Sequence, residues 1–438
     1  MSNDFTPPGD LTDYTPEQAS PQEPPTQGGQ IARPTPRQLE FHNWQLGLFI
    51  HFGIETYTRQ VSGDGVADTA HFNPVELDCE NWMDAAVAMG AQYVVYTARH
   101  EGGFCTWPTK THDYSVAHCP WRGGRGDVVR EYVDACRRRG LKVGFYHTPS
   151  HDAHCLHIYN TTHGTYNERY IQTQVDQMTE LLTQYGPIDY LWFDHHKGNE
   201  LYRRVDDTVR RLQPDCLMFG PDTWIVGGHT GVAEYPLWHA VNTSDDSEYA
   251  RPTTTGGEPY GRYYRCWEAN TIFSGNWFWW GRDILPLANM IELYYQSVGR
   301  GANFLPNFAP DPRGLMTDEV LAAAKAFGDA IASRFARPIA TAGPFEGPQA
   351  ILDLPQGSTV NHIIVREDLS QGQLIAEHRI EVFSQGRWSI IDQAQTVGPQ
   401  RIIKLDSLPA ESIRVTCTNS LTANPRIASL AAYGVRQP

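Results

Sequence analysis

The chain has 438 residues, 40% of them hydrophobic and 19% charged, which suits about two or three globular domains and rules out a disordered polymer. Lys plus Arg is 35 against 50 Asp plus Glu, a formal charge of −15 that repels polyphosphate and anionic lipid, so nucleic acid is not an expected partner. No stretch approaches the roughly 20 apolar residues of a bilayer span, and the start, MSNDFTPPGDLTDYTPEQ, has neither a basic nor an apolar leader region. The expectation is therefore no membrane association and no signal peptide. Eight cysteines without a CxxC repeat read as buried thiols in a reducing, cytoplasmic setting, although composition leaves both compartment and oligomeric state open.

Residues 1–34 are rich in Pro, Gln, Thr and Gly, lack an apolar period and are expected to form a flexible tail. Apolar β-type runs then alternate with amphipathic stretches. Strands are predicted at Leu46–Gly53, Tyr93–Ala98, Lys142–His147, Ile188–Phe193 and Cys216–Phe219. Between them helices are predicted at Cys79–Met89, Asp127–Arg139, Ile171–Tyr185 and Asn199–Leu212, the first two closed by Gly90 and Gly140. Strand and helix repeating at this spacing call for a parallel sheet with helices outside. About eight units fit within residues 35–337, the length of a (β/α)8 TIM barrel.

After a last helix at Asp318–Phe335 the texture changes. HIIVRE, HRIEVFS, RWSIID, RIIKLD and SIRVTC alternate in polarity between turn residues, predicting an antiparallel β-sandwich over 338–438. Its Trp388 and Tyr433 suit a core better than a glycan-stacking surface.

In such a barrel function gathers at the C-terminal strand ends. These carry His51, then Arg99, His100 and Glu101, then His147, then Asp194 followed by His195 and His196. With 12 Trp, 21 Tyr and 17 His, the chain has the stacked aromatics and interleaved polar groups that hold a hydroxyl-rich ring. Asp194 ends the buried run YLWF, where an ionised carboxylate is costly unless paired or used. Framed by Trp192 and Phe193, it suits a nucleophile towards an anomeric carbon, with a structural Asp as the alternative.

Several long strings, PRQLEFHNWQLGLFIHFG, HEGGFCTWPTKTHDYSV, YGPIDYLWFDH and GRGANFLPNFAPDPRGL among them, resemble the α-L-fucosidases of glycoside hydrolase family 29 from about residue 35 to the C-terminus. The resemblance implies a barrel followed by a β-sandwich, a retaining exo-acting hydrolase without metal or other cofactor, and a fucosylated oligosaccharide or glycoconjugate as substrate. It makes Asp194, the Asp of the WFD motif, the nucleophile. His51 matches the hydroxyl-binding His of the family's IHFG string and His100 the first His of its HHDGF string. Trp107, His147, Trp192 and Trp277 join them as candidate substrate-binding residues.

The departures matter as much. Glu101 stands where relatives have a second His, and Val61–Ser62 where they have a Glu-Trp pair. A WVGNE-type string that would carry the general acid reads TWIVGGHTGVA here, putting His229 in place of Glu. An imidazolium can in principle protonate a leaving oxygen at neutral pH. Glu101, Glu268 in RCWEANTIFSGNWFW and Glu234 are the competing carboxylates, Glu268 having a salt bridge to Arg265 or Arg282 as its structural alternative. Altered hydroxyl partners also open the glycone to a fucose-like sugar such as L-galactose. A glycan-binding pseudoenzyme lacking a working acid is the rival from another class. A Zn²⁺ site from His147, His151, Asp152, His154, Cys155 and His157 is a third reading, although the spacing fits no closed-site signature.

Overall fold

The computed structural model describes residues 31–242, 254–281 and 283–436. Residues 1–30 of the expected tail and Arg282 lie outside them. Ala32, by contrast, is buried, and its carbonyl closes on Gly372 of the C-terminal region.

Among the described residues eight parallel strands form the first sheet: β1 (Gly47–Ile50), β2 (Tyr93–Arg99), β3 (Lys142–His147), β4 (Tyr190–Phe193), β5 (Leu217–Met218), β6 (Thr223–Ile225), β7 (Cys266–Ile272) and β8 (Asn303–Asn307). Their order is β5-β4-β3-β2-β1-β8-β7-β6, and a bridge between Phe219 and Thr223 brings the two edges together into a nearly closed barrel. Helices α1 (Pro36–Trp44), α2 (Cys79–Met89), α3 (Val128–Arg138), α4 (Glu168–Gln184), α5 (Glu200–Leu212), α6 (Leu287–Ser297) and α7 (Asp318–Phe335) accompany them. Asp78, Asp127, Asn167 and Asn199 cap α2 to α5 by accepting from first-turn amides, which fixes where each helix starts.

Side chains alternate in and out along each strand. Phe49, Tyr93, Val95, Tyr146, Tyr190, Trp192, Cys266 and Leu305 form the barrel interior. Leu48, Val94, Phe145, Leu191, Trp267 and Phe304 pack outward against the helices. The parity decides which strand-end residues reach the cavity: Tyr146 points in, so His147 points out.

The C-terminal region is two packed antiparallel sheets. One pairs Ser358–Glu367 with Arg401–Pro409 and Arg426–Arg436; the other orders Gln349–Asp353, Ser412–Ser420, Ile375–Ser384 and Arg387–Gln395. Gln385 and Gly386, both with positive φ, turn the last hairpin. Trp388 packs on Phe383 beneath the Arg414 guanidinium, and Tyr433 against Phe335, so neither offers a free stacking face. The sandwich braces the barrel: Tyr295 bonds His362 at 2.7 Å, and Gln373 holds both Leu237 O and the His239 amide. All eight cysteines are buried free thiols, and no described helix is long and apolar enough to cross a membrane.

Candidate active site

Asp194 follows β4 on the inward parity, and its side chain keeps 13% of its surface open. Tyr146, inward from β3, donates its hydroxyl to Asp194 Oδ2 at 2.7 Å, while Oδ1 accepts the His195 amide at 3.0 Å. The Asp194 carbonyl takes hydrogen bonds from Thr148 Oγ1 (3.2 Å) and Tyr202 Oη (2.8 Å). Both ends of the residue are thus fixed before any ligand arrives.

A wall of rings rises beside it. His100 stacks on Tyr146 with centroids 4.9 Å apart and planes 8° from parallel, and His51 lies 5.0 Å from Trp277. Asn307, which ends β8, donates Nδ2 to the carbonyls of Asn276 and Trp277, so its Oδ1 must face His51 Nδ1, 2.7 Å away. His51 therefore donates from Nδ1 and keeps Nε2 as an acceptor. Burial first, then the neighbouring His100, hold His51 well below the usual imidazole range, so it is neutral. His100 is also lowered, chiefly by burial, and its Nδ1 has no hydrogen-bond partner among the described residues. His229 is exposed, bonds Asn270 Oδ1 through Nδ1 at 3.0 Å and meets Trp277 edge-on at 5.1 Å.

Glu101 comes from the loop after β2 and accepts from His195 Nε2 at 2.8 Å. Glu101, Asp194 and His195 place ligand atoms within 4.8 Å of one another. Burial pushes the Glu101 carboxyl up, but the His195 hydrogen bond, the charge at His100 and the Ser62 hydroxyl bring it down to about 2. Ser62 and Glu101, two positions where the chain departs from the family's strings, thus meet in space.

Other candidates fall outside the cavity. Glu268 is on the inward parity of β7 but pairs in register with Asn303, the first residue of β8, and is 1% exposed. Tyr93 and Trp192 each donate to it at 2.7 Å. Burial raises its carboxyl to about 7, and neutral donors, not an Arg265 salt bridge, satisfy it. Glu268, bonded to Trp192, thus lies deeper in the barrel than the strand ends, with almost no exposed surface. His147 is fully buried on the outer side, between Arg99 and Gln177 of α4. Trp107 is fully buried too and donates to Glu180 of α4. Neither reaches a sugar, because both occupy the layer between barrel and helices. Glu234 bonds Thr254, and Arg300, just before β8, holds the adjacent Ala233 carbonyl at the opposite end of the strands.

The histidine-rich run does not assemble as a metal centre. His112, Asp152 and Cys155 are mutually close, yet Asp152 already pairs with the buried guanidinium of Arg99. A second cation there would meet that charge at close range. Of the others, His154 bonds Gly65 O and His151 packs on His195 at 3.9 Å.

Glu55 was missed in the sequence. It is 1% exposed in a cradle of glycines: a Cβ on Gly53 would lie 2.5 Å from Oε2, and one on Gly102 would lie 2.9 Å from Oε1. Burial and the charges of Glu101 and Asp64 raise its carboxyl to about 8 against the pull of its own backbone amide and Arg99. Because the folded state keeps a proton that the unfolded chain releases from about pH 4.5, this group's stabilisation is complete below that pH and declines until about pH 8. Glu55→Gln should therefore be more stable than the parent at pH 9 by on the order of a few kcal/mol, and equal at pH 4, as read by urea denaturation.

With this geometry in view, comparisons with known proteins decide the family. The α-L-fucosidase family model matches residues 65–333. The chain belongs to the α-L-fucosidase family. It is 30% identical to the putative α-L-fucosidase 1 of Oryza sativa subsp. japonica over 91% of its own length and 84% of that protein. It is also 30% identical to α-L-fucosidase 1 of Arabidopsis thaliana, over 91% and 87% of the two chains. A crystal structure of a putative α-L-fucosidase from Bacteroides thetaiotaomicron superposes with a TM-score of 0.84 at 28% identity, covering 93% of this chain and all of that one. The family's barrel and sandwich are the architecture found here.

Proposed function

We propose that the protein is an exo-acting, retaining α-L-fucosidase that removes terminal α-L-fucosyl residues from oligosaccharides or glycoconjugates. The observation that carries this reading is the Asp194 carboxylate at the mouth of β4, oriented by Tyr146 and standing within 4.8 Å of Glu101 and His195 beside the His51, His100 and Trp277 wall. Asp194 attacks the anomeric carbon, the glycosidic C–O bond breaks, and water later releases the sugar from the glycosyl ester. Glu101 and His195, whose ligand atoms lie within 4.8 Å of those of Asp194, support this pair as the neighbour of the nucleophile, whereas Glu268 is 1% exposed. His51 keeps Nε2 as an acceptor for a sugar hydroxyl, and Trp277 beside it supplies an apolar face.

The test is proton NMR of p-nitrophenyl α-L-fucoside hydrolysis by the full chain, where α-L-fucose should be the first product. β-L-fucose first would overturn retention. Inertness to this probe together with hydrolysis of the α-L-galactoside would reassign the glycone. Inertness to every aryl glycoside, with fucosylated glycan still bound, would favour the pseudoenzyme.

A further inference from the structure

Among the described residues, the family's general-acid carboxylate has no counterpart in the groups around Asp194. Glu268 lies deeper in the barrel with almost no exposed surface, Glu234 lies at the far end of the strands, and Glu101 is held as a carboxylate with no proton to give at neutral pH. We propose that His195 carries the proton of the reaction: its Nε2–H, donated to Glu101 in the resting enzyme, passes to the departing glycosidic oxygen, and the same nitrogen later takes a proton from the attacking water. The proposal rests on Asp194 being the nucleophile.

The geometry is specific. His195 Nε2 lies 2.8 Å from Glu101 Oε1 and 3.8 Å from Asp194 Oδ2, on a side chain 21% exposed. The ring is aimed there by a backbone that an L-residue adopts at a cost: His195 has φ +56°, and the peptide is pinned on the Asp194 side by Thr148 and Tyr202. Strain of this kind persists where surrounding contacts over-determine it, and here they place an imidazole between two carboxylates.

The electrostatics agree. Burial and Lys197 act to lower the His195 imidazole, but the Glu101 hydrogen bond and the charges of Asp194 and Glu101 outweigh them and raise it. His151 packs on the ring, with His163 behind it at 4.2 Å; burial and its two histidine neighbours push His151 down to about 4, the opposite direction from His195.

The step balances. As Asp194 bonds to the anomeric carbon and the C–O bond breaks, imidazolium Nε2–H protonates the leaving oxygen and His195 becomes neutral. In the second half, water oxygen bonds to the anomeric carbon, its proton goes to Nε2, the ester bond to Asp194 breaks, and imidazolium is restored.

His195→Asn tolerates the positive φ and can still donate to Glu101, but cannot shuttle a proton. With p-nitrophenyl α-L-fucoside its kcat should fall about 10²–10⁴-fold, and azide should restore turnover by giving the retained α-L-fucosyl azide. On methyl α-L-fucoside, a poor leaving group, kcat/KM should fall further than on the aryl substrate. His195→Gly, which suits the same backbone, should regain activity with added imidazole, a response that a purely structural residue does not show. Loss below tenfold on both substrates, or loss rescued by neither azide nor imidazole in a variant of normal fold, would overturn the proposal. Inactivity of the unmodified chain would sink the nucleophile reading and this one with it, whereas an active parent with unaffected His195 variants would sink this one alone.

Discussion

Asp194→Asn is expected to fold normally and to hydrolyse p-nitrophenyl α-L-fucoside at least about 10³-fold more slowly than the parent, with the deficit in kcat. The amide is isosteric, can still accept the His195 amide at Oδ1 and can face Tyr146 with its NH2, so packing has no reason to change. It lacks the charge that forms the ester and stabilises the oxocarbenium-like transition state. Asp194→Gly opens room for an external nucleophile, and azide should then yield the inverted β-L-fucosyl azide. That is the opposite anomer from the one expected for the His195 variants, so the two roles are read independently. Retention of most activity by Asp194→Asn would remove it from the nucleophile role.

Asp152→Ala is expected to destabilise the protein by about 3–5 kcal/mol, measured by urea denaturation at pH 7. Arg99 and Asp152 form an ion pair with both side chains fully buried, and removing one partner leaves an uncompensated charge. Asp152 also accepts the Cys155 amide at 2.9 Å and Gln174 Nε2 at 3.0 Å. Burial works against its charge, but Arg99 chiefly, then His112, those two hydrogen bonds included, hold its carboxyl down at about 2. Its stabilisation is therefore complete above the unfolded carboxylate range near pH 4 and disappears as pH falls towards 2. Activity should suffer as well, because Arg99 holds Thr148 O at 2.6 Å and Thr148 in turn holds the Asp194 carbonyl. A loss below about 1 kcal/mol would mean that the pair is solvated and has no part in supporting the site.

The sequence by itself determined the alternation of strand and helix, the helices Cys79–Met89 and Asp318–Phe335, the strand Lys142–His147 and the residue that ends β4, because hydrophobic period and capping residues act over a few neighbours. Its motifs also pointed to the family and to Asp194. It did not separate Tyr146 from His147 at the end of β3, although inward and outward parity was there to be read from Gly144 onward. Asn307 sits within a string already singled out, yet its grip on His51 joins residues 256 apart. Which acidic residue stands beside Asp194 was decided only by the tertiary structure. Glu268 and Glu101 both sit on barrel strands or their ends, but depth along the barrel axis buries the first under Trp192 and brings the second to His195, 94 residues away. Local sequence encodes the direction of a side chain within its strand; its height relative to other strands is set by their stagger on closure, and that is where the chemistry of this site was fixed.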